Sequence, residues 1–177
     1  KDVRHDIMDV TDKNLLILTR AVASEVNNAD KITSELLTGM LEKYNVTEIN
    51  YFSSTGVILA SSNADFVGYD IGRGGVQASE FWALLGAITE YVQRFQPIGF
   101  DAQRSRKYAG VTLAAGGFIQ VGYDEETYYR AIEVAINEVV KNRHVGESGF
   151  LIVTDSAWRI ISDRKKKKNQ PVTIVTA

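Results

Sequence analysis

Between residues 3 and 44 apolar side chains recur at helical spacing: Ile7, Val10, Leu15, Leu18, Val22 and Val26, then Ile32, Leu36, Met40 and Tyr44. The stretch has no Pro, its single Gly is Gly39, and Asn27, Asn28 and Asp30 interrupt the pattern. It predicts one long helix broken there, or two helices in series, with Lys13, Arg20 and Glu25 on a solvated face. A helix of about 25 residues is close to 40 Å long at about 1.5 Å per residue, which suits a stalk or a dimerisation element.

From Val46 the period becomes two. Val46 to Phe52 reads as a strand, Ser53 to Gly56 as a turn and Val57 to Ser61 as the returning strand. Residues 63–78 read as loop, rich in Gly68, Gly72, Gly74 and Gly75. Ser79 is placed to cap a short helix carrying Phe81, Trp82, Leu84 and Leu85. Strands then follow over Glu90–Ile98, Lys107–Leu113 and Gly117–Tyr123, with Ala114 to Gly117 as the last hairpin. Asp124 caps a helix over Glu125–Lys141 whose stripe is Tyr128, Ile132, Ala135, Ile136 and Val139. This order predicts an α+β domain: a long N-terminal helix, then a PAS-like five-stranded antiparallel sheet with helices on a face.

An internal repeat extends the picture. Tyr51-Phe-Ser-Ser-Thr-Gly-Val-Ile-Leu-Ala-Ser-Ser aligns at constant offset with Ile152-Val-Thr-Asp-Ser-Ala-Trp-Arg-Ile-Ile-Ser-Asp, each a strand, a small-polar turn and a strand. Tandem modules account for it, as does coincidence between two ordinary hairpins. The second copy soon gives way to the basic run Arg164–Lys168 and a short apolar strand, Val172–Val175. The expected organisation is a stalk over residues 1–45, a sensor module over 46–142 and the start of a second, similar module over 143–177. Beginning at Lys1, the chain reads as a piece of a longer protein.

Composition narrows the chemistry. Of 177 residues, 45% are hydrophobic and 24% charged, with only 2 Pro, which excludes a disordered or low-complexity chain. A net charge of −2, from 20 basic and 22 acidic side chains, argues against a nucleic-acid partner, and Arg164–Lys168 has no interleaved aromatics to stack on bases. With no Cys, disulfide frameworks, Cys-ligated zinc and thiol catalysis are out. No segment offers the roughly 20 apolar residues of a membrane helix.

Enzymatic motifs are missing. His5 and His144 stand apart without metal-ligand spacing, and no nucleophile elbow, phosphate loop or dinucleotide fingerprint occurs. Gly72-Arg-Gly-Gly reads as flexibility. The expectation is a chain with no catalytic residue, no metal and no cofactor. A small-molecule pocket is the better prospect, with aromatics from the short helix and later strands facing one side of the sheet. Phe95 and Tyr123 belong to that aromatic set, and Arg106 to the nearby charges. The candidate ligand-binding residues are Trp82, Tyr91, Arg94, Lys107, Tyr108 and Asp124, the charged ones complementing an ionised ligand. The aromatics also suit a plain core, and Asp124 a plain helix cap.

Several motifs together carry a family resemblance. These are Ile49-Asn-Tyr-Phe-Ser-Ser-Thr-Gly-Val-Ile-Leu-Ala-Ser-Ser, Val67-Gly-Tyr-Asp, Gly117-Phe-Ile-Gln-Val-Gly-Tyr-Asp and His144-Val-Gly-Glu-Ser-Gly-Phe-Leu-Ile-Val-Thr-Asp. With the long first helix they resemble the double Cache, or tandem PhoQ-DcuS-CitA-type, sensor domains of bacterial membrane receptors, over residues 1–163. The resemblance implies an extracytoplasmic domain between two transmembrane helices, a homodimer through the first helix, and a small-molecule ligand in the module at residues 46–142. It implies a histidine kinase, chemoreceptor, cyclic-dinucleotide enzyme or serine phosphatase as output. Tyr91-Val-Gln-Arg-Phe-Gln-Pro-Ile and Arg106-Lys-Tyr-Ala-Gly-Val are similar to sensors on sporulation-class phosphatases. In amino-acid-binding members an aspartate after the fifth strand holds the ligand's amine, and Asp124 matches it. The arginine that holds the carboxylate has no counterpart around Glu80-Phe-Trp. A ligand-free interaction module and a cytoplasmic PAS-type domain are the alternatives.

Overall fold

A computed structural model describes residues 3–99, 101–142, 144–145, 149–150, 152–154 and 159–163. The expected strand Val172–Val175 and the basic run Arg164–Lys168 lie outside them. The chain divides into two compact units, Asp12–Tyr128 and the segments 1–11 with 129–177, so both boundaries fall within long helices. Among the described residues no helix is long and apolar enough to cross a membrane.

The N-terminal stretch is two helices in series, α1 (Val3–Asn27) and α2 (Ser34–Tyr44). Thr33 starts α2 by accepting the Leu36 N–H on its hydroxyl at 3.2 Å. Asn45 ends it in the left-handed conformation, φ 50°, and its N–H bonds back to the Glu42 carbonyl. In α1 the buried stripe is Thr11, Leu15, Thr19, Val22, Ala23 and Val26. The expected Leu18 is only half-buried. Threonines were overlooked because they are not apolar, yet each satisfies its hydroxyl within the helix, Thr11 on the Ile7 carbonyl and Thr19 on that of Leu15, both at 2.8 Å.

The sheet of the larger unit contains β1 (Glu48–Phe52), β2 (Ile58–Ser61), β3 (Glu90–Val92), β4 (Gln96–Ile98), β5 (Asp101–Thr112) and β6 (Phe118–Tyr123). Its order is β2-β1-β6-β5-β3, all neighbours antiparallel, and β4 pairs with the first half of β5. The strand expected over Glu90–Ile98 is therefore two strands on one long partner, because the chain leaves the ladder between Val92 and Gln96. The Gly-rich segment holds a 3-10 turn at Ala64–Phe66 and the single-turn helix α3 (Val76–Ser79). Ser79 is not an N-cap: it closes α3 in helical geometry, its hydroxyl on the Val76 carbonyl, and runs on into a 3-10 helix over Glu80–Leu85.

Cross-strand register sorts the residues onto two faces. Glu48, Gly122 and Tyr108 form one row, and Asn50, Gln120, Gly110 and Tyr91 the next. Phe52 and Phe118 continue that face, stacked at 4.4 Å. Phe66, Ile71, Ala78, Phe81 and Leu84 pack onto it, and full burial of each large side chain contributes about 1.5–3 kcal/mol. Gly110 admits them, since a Cβ there would lie 2.4 Å from the Leu84 side chain. The opposite face carries Ile49, Val121, Ala109 and Ile119, all fully buried. Asp12, Arg20 and Asn27 tie α1 to Lys107, Glu90 and the backbone N–H of Ala114.

Asp124 caps α4 (Glu125–Asn142), accepting the Thr127 N–H at 2.8 Å. Ala135, Val139 and Val140 are its most buried apolar positions in the second unit. The second unit also contains the antiparallel pairs β7 (His144–Val145) with β8 (Gly149–Phe150) and β9 (Ile152–Thr154) with β10 (Ile160–Asp163). The repeat is thus a hairpin in both places, although Tyr51 faces Ala60 while its counterpart Ile152 faces Asp163.

Candidate ligand site

The face that receives Phe81 also buries an unusual row of polar groups. Because Gly122 has no side chain, the Tyr108 ring crosses it, and a Cβ there would lie 2.5 Å from the ring. The Tyr108 hydroxyl thereby reaches across β6 and donates to Glu48 Oε1 at 2.6 Å. Asn50 Nδ2 donates to the same oxygen at 2.8 Å. Glu48 is 2% exposed. Burial holds its carboxyl above the ordinary range, opposed by the bonds from Tyr108 and Asn50 and by the charges of Arg106 and Arg104. Burial, with the charge of Glu48, raises Tyr108 well above a free phenol. Arg106 Nε stands 3.8 Å from Glu48 Oε2, an ion-pair distance too long for a hydrogen bond. It is the buried side-chain nitrogen without a hydrogen-bond partner among the described residues.

The network fixes its own orientation. Glu48 only accepts, so Asn50 must turn its Nδ2 toward it. The other hydrogen of that nitrogen goes to Gln120 Oε1 at 3.0 Å, and Asn50 Oδ1 accepts the Ser61 hydroxyl at 2.6 Å. Gln120 is thereby turned with its Nε2 outward. That nitrogen meets no protein acceptor among the described residues, although Gln120 is 95% buried, at 5% exposure.

Asn50, Gln120 and Tyr108 line a cavity of about 30 Å³ together with Gln77 and Tyr69. Phe52, Ile58, Phe66, Ile71, Ala78 and Ile98 complete the wall. The cavity as it stands has room for about one or two waters. An open groove of about 380 Å³ lies elsewhere, between the α1–α2 connection and Tyr51, Leu113 and Ala115. None of its polar side chains is buried.

A second polar cluster braces the helical segment beside the cavity. Glu80 accepts from Tyr91 at 2.9 Å, from Gln93 at 2.7 Å and from Gln96 at 3.3 Å. Desolvation pushes its carboxyl up, but these donors and the Arg94 charge outweigh it and leave the group below its ordinary value. Burial and the Glu80 contact raise the Tyr91 hydroxyl to about 12. Gln77 donates to Gln93 Oε1 at 2.7 Å and accepts the Gly99 N–H at 3.0 Å.

Of the six residues expected from the sequence, Tyr108 lines the cavity. Tyr91 packs edge-on against Phe81 at 5.3 Å, its hydroxyl held by Glu80. Trp82 is half-exposed, its ring over Gly72. Arg94 is exposed, with its charge acting on Glu80. Lys107 is buried on the opposite face, bonded to the Gln93 carbonyl at 3.0 Å and paired with Asp12 at 2.5 Å. Asp124 is occupied by its capping bond; burial raises its carboxyl, and the Thr127 and Thr47 bonds more than reverse that. Sequence reading missed Glu48, Asn50, Ser61, Gln77 and Gln120. The available signal was a polar residue at the core-facing position of a strand otherwise wholly buried, as Gln120 is within Phe118–Tyr123. Among the described residues, no group of acidic and imidazole side chains could hold a metal ion.

No family model matches the chain, and no curated protein does. Several solved structures are similar, two of which follow. An extracellular ligand-binding receptor from Desulfohalobium retbaense superposes with a TM-score of 0.52 at 13% identity, over 96% of this chain and 32% of the other. The sensor domain of the histidine kinase DctB from V. cholerae gives a TM-score of 0.42 at 19% identity, over 98% of this chain and 63% of the other. The chain therefore spans about a third of the first and under two-thirds of the second. The fold is α+β, a PAS-like antiparallel sheet with helices.

Proposed function

We propose that the chain is the extracytoplasmic sensing part of a bacterial membrane receptor of double Cache type. Residues 46–142 form the ligand-sensing module, 1–45 the stalk and 143–177 the opening of a second module. The single observation that carries this reading is the cavity on one sheet face, with a donor left over inside it at Gln120. The shared fold with an extracellular ligand-binding receptor supports it. The parent's output is a histidine kinase, a chemoreceptor or a serine phosphatase, and the fragment itself is not an enzyme.

A continuous contact path runs from the cavity to the stalk. Gln77 on the cavity wall bonds to Gln93, the Gln93 carbonyl accepts Lys107 Nζ, and Lys107 pairs with Asp12 of α1. A ligand that favours one arrangement of these groups over another shifts the population of α1 arrangements. On α1, Val3, Ile7, Val10, Asn14, Ile17 and Ala21 alternate at spacings of four and three, and none is fully buried. That is the pattern of a coiled-coil seam, so α1 pairs with its mate in a homodimer.

The small cavity volume favours a second reading, an interaction module whose pocket stays closed. A thermal-shift screen of the chain against amino acids, organic acids, amines, purines and neutral amides separates the two. A ligand at 100 times its dissociation constant adds about 2.7 kcal/mol of stability. A rise in melting temperature confined to one chemical class is the expected result. No rise with any class, in folded protein, overturns the sensor reading.

A further inference from the structure

The sensing reading names a cavity without naming what enters it, and the wall itself restricts the answer. We infer that its ligand is an uncharged molecule with a flat, largely apolar body and a hydrogen-bond acceptor, a carbonyl or ring nitrogen, that is received by Gln120 Nε2. The inference rests on the sensor reading and deepens it.

Three observations lead there. The first is the donor. Glu48 dictates the turn of Asn50, and Asn50 that of Gln120, so the outward group of Gln120 is an N–H donor and not a carbonyl. That nitrogen has no acceptor among the described residues, and the Gln120 side chain is part of the cavity wall. A ligand acceptor would give the Gln120 amide, the end of the chain from Glu48 through Asn50, the partner it lacks.

The second is charge. No acidic or basic side chain lines the cavity. Each cation that could have met an anion is engaged elsewhere: Lys107 with Asp12, Arg106 with Glu48, and Arg94 out toward solvent beside Glu80. An anion entering would lose its water for one neutral donor, with the Glu48 carboxylate behind Asn50. A cation fares no better, because Glu48 Oε1 already accepts two donors and Asp124 caps α4.

The third is shape. Apart from the amides and phenols, the wall is Phe52, Ile58, Phe66, Ile71, Ala78 and Ile98, which suits a ring or an alkyl body. The present 30 Å³ is too small for one. For a ring to enter, the segment Phe66–Ala78, which contributes Phe66, Tyr69, Ile71, Gln77 and Ala78 to the wall, has to move outward. Its backbone turns at Gly68, φ 89°, where nothing lies within 4 Å of a Cβ position.

The test uses isosteres that differ in charge alone: benzamide and nicotinamide against benzoate, nicotinate and benzamidine, with uracil as a second neutral ring. Each is titrated into the ¹⁵N-labelled 177-residue chain, and the side-chain amide pair of Gln120 is followed. That pair is identified by its loss in Gln120→Met. The expected result is a shift of the Gln120 pair and a raised melting temperature with a neutral probe and neither with the charged ones. Gln120→Met then weakens that probe about tenfold, the worth of one good hydrogen bond. If the variant fails to fold, the pair is assigned in doubly ¹³C,¹⁵N-labelled wild type by correlating the side-chain amide with the Gln120 backbone, and the wild-type titrations decide. A charged probe that shifts the Gln120 pair overturns the uncharged class and leaves the sensor standing. Silence from every probe, charged or neutral, overturns the inference, and if the broad thermal screen is silent too, the sensor reading falls with it.

Discussion

The two faces of the sheet are built to opposite rules. One carries Ile49, Ile119, Val121 and Ala109, apolar and fully buried, and its only buried charge, Lys107, is paired with Asp12 of α1. The other buries Glu48, Asn50, Ser61 and Gln120 in a bonded row and then leaves a small cavity and a donor. A face that only had to hold the fold together would not spend buried amides and a carboxylate, since hydrophobic residues of the same shape serve at no desolvation cost. That asymmetry separates a scaffold face from the candidate site. The contrast lies between two sides of the same strands, one residue apart in sequence.

Substitutions break or sharpen this contrast. Ile49→Ala on the apolar face removes a fully buried side chain and is expected to cost about 3 kcal/mol in urea unfolding. Asp12→Asn comes next, at about 2–3 kcal/mol, because it strands the Lys107 ammonium, 3% exposed, without its partner. The reverse change, Lys107→Met, leaves the half-exposed Asp12 carboxylate, which water can solvate, and the Gln93 carbonyl without its donor, and costs about 1–2 kcal/mol. Equal costs for the two would show that the pair is not asymmetric. Gly122→Ala drives a methyl into the Tyr108 ring and separates it from Glu48, for about 1–2 kcal/mol. The smallest effect belongs to Gln120→Met, under about 1 kcal/mol, since Asn50 Nδ2 retains its bond to Glu48.

The two carboxylates near the site also separate by pH. Glu48 is held above its ordinary value by burial, so the folded chain takes up its proton more readily than the unfolded chain. Its contribution to stability is present below the unfolded carboxylate range and is lost as pH rises through the folded value. Glu80 is shifted downward by its donors, so its contribution is present above the unfolded range and is lost as pH falls through the folded value. Unfolding free energies of Glu48→Gln and Glu80→Gln, each relative to wild type from pH 3.5 to 8, are expected to slope in opposite directions. Parallel slopes would contradict the assignment.

Much of the architecture was legible. Helical spacing gave α1 and α2 with the break at Asn27–Asp30, and the period of two gave β1, β2 and β6, because those signals depend on local burial. The division of Glu90–Ile98 was not readable, since it depends on β5 being long enough to pair with two strands. Charges and aromatics marked the candidate residues, and of these Tyr108 lines the cavity. Lys107 and Asp124 looked available because nothing local shows that Asp12 and the Thr127 N–H occupy them. Glu48 shares a face with Asn50 by alternation along β1, but only register brings Gln120 and Tyr108 beside them, so the cluster did not show in the sequence. The value of Gly122 is likewise a matter of register, opposite Tyr108.

The central claim is that occupancy of the cavity is felt at α1. Hydrogen–deuterium exchange with and without a compound that raises the melting temperature tests it most directly, in wild type and in Lys107→Met. The account predicts slower exchange in wild type both at Phe66–Ala78 and at Asp12–Asn27, and in the variant slower exchange at Phe66–Ala78 alone. Protection at the cavity with an unchanged α1 in wild type, or an α1 response that survives the loss of Lys107, would contradict it.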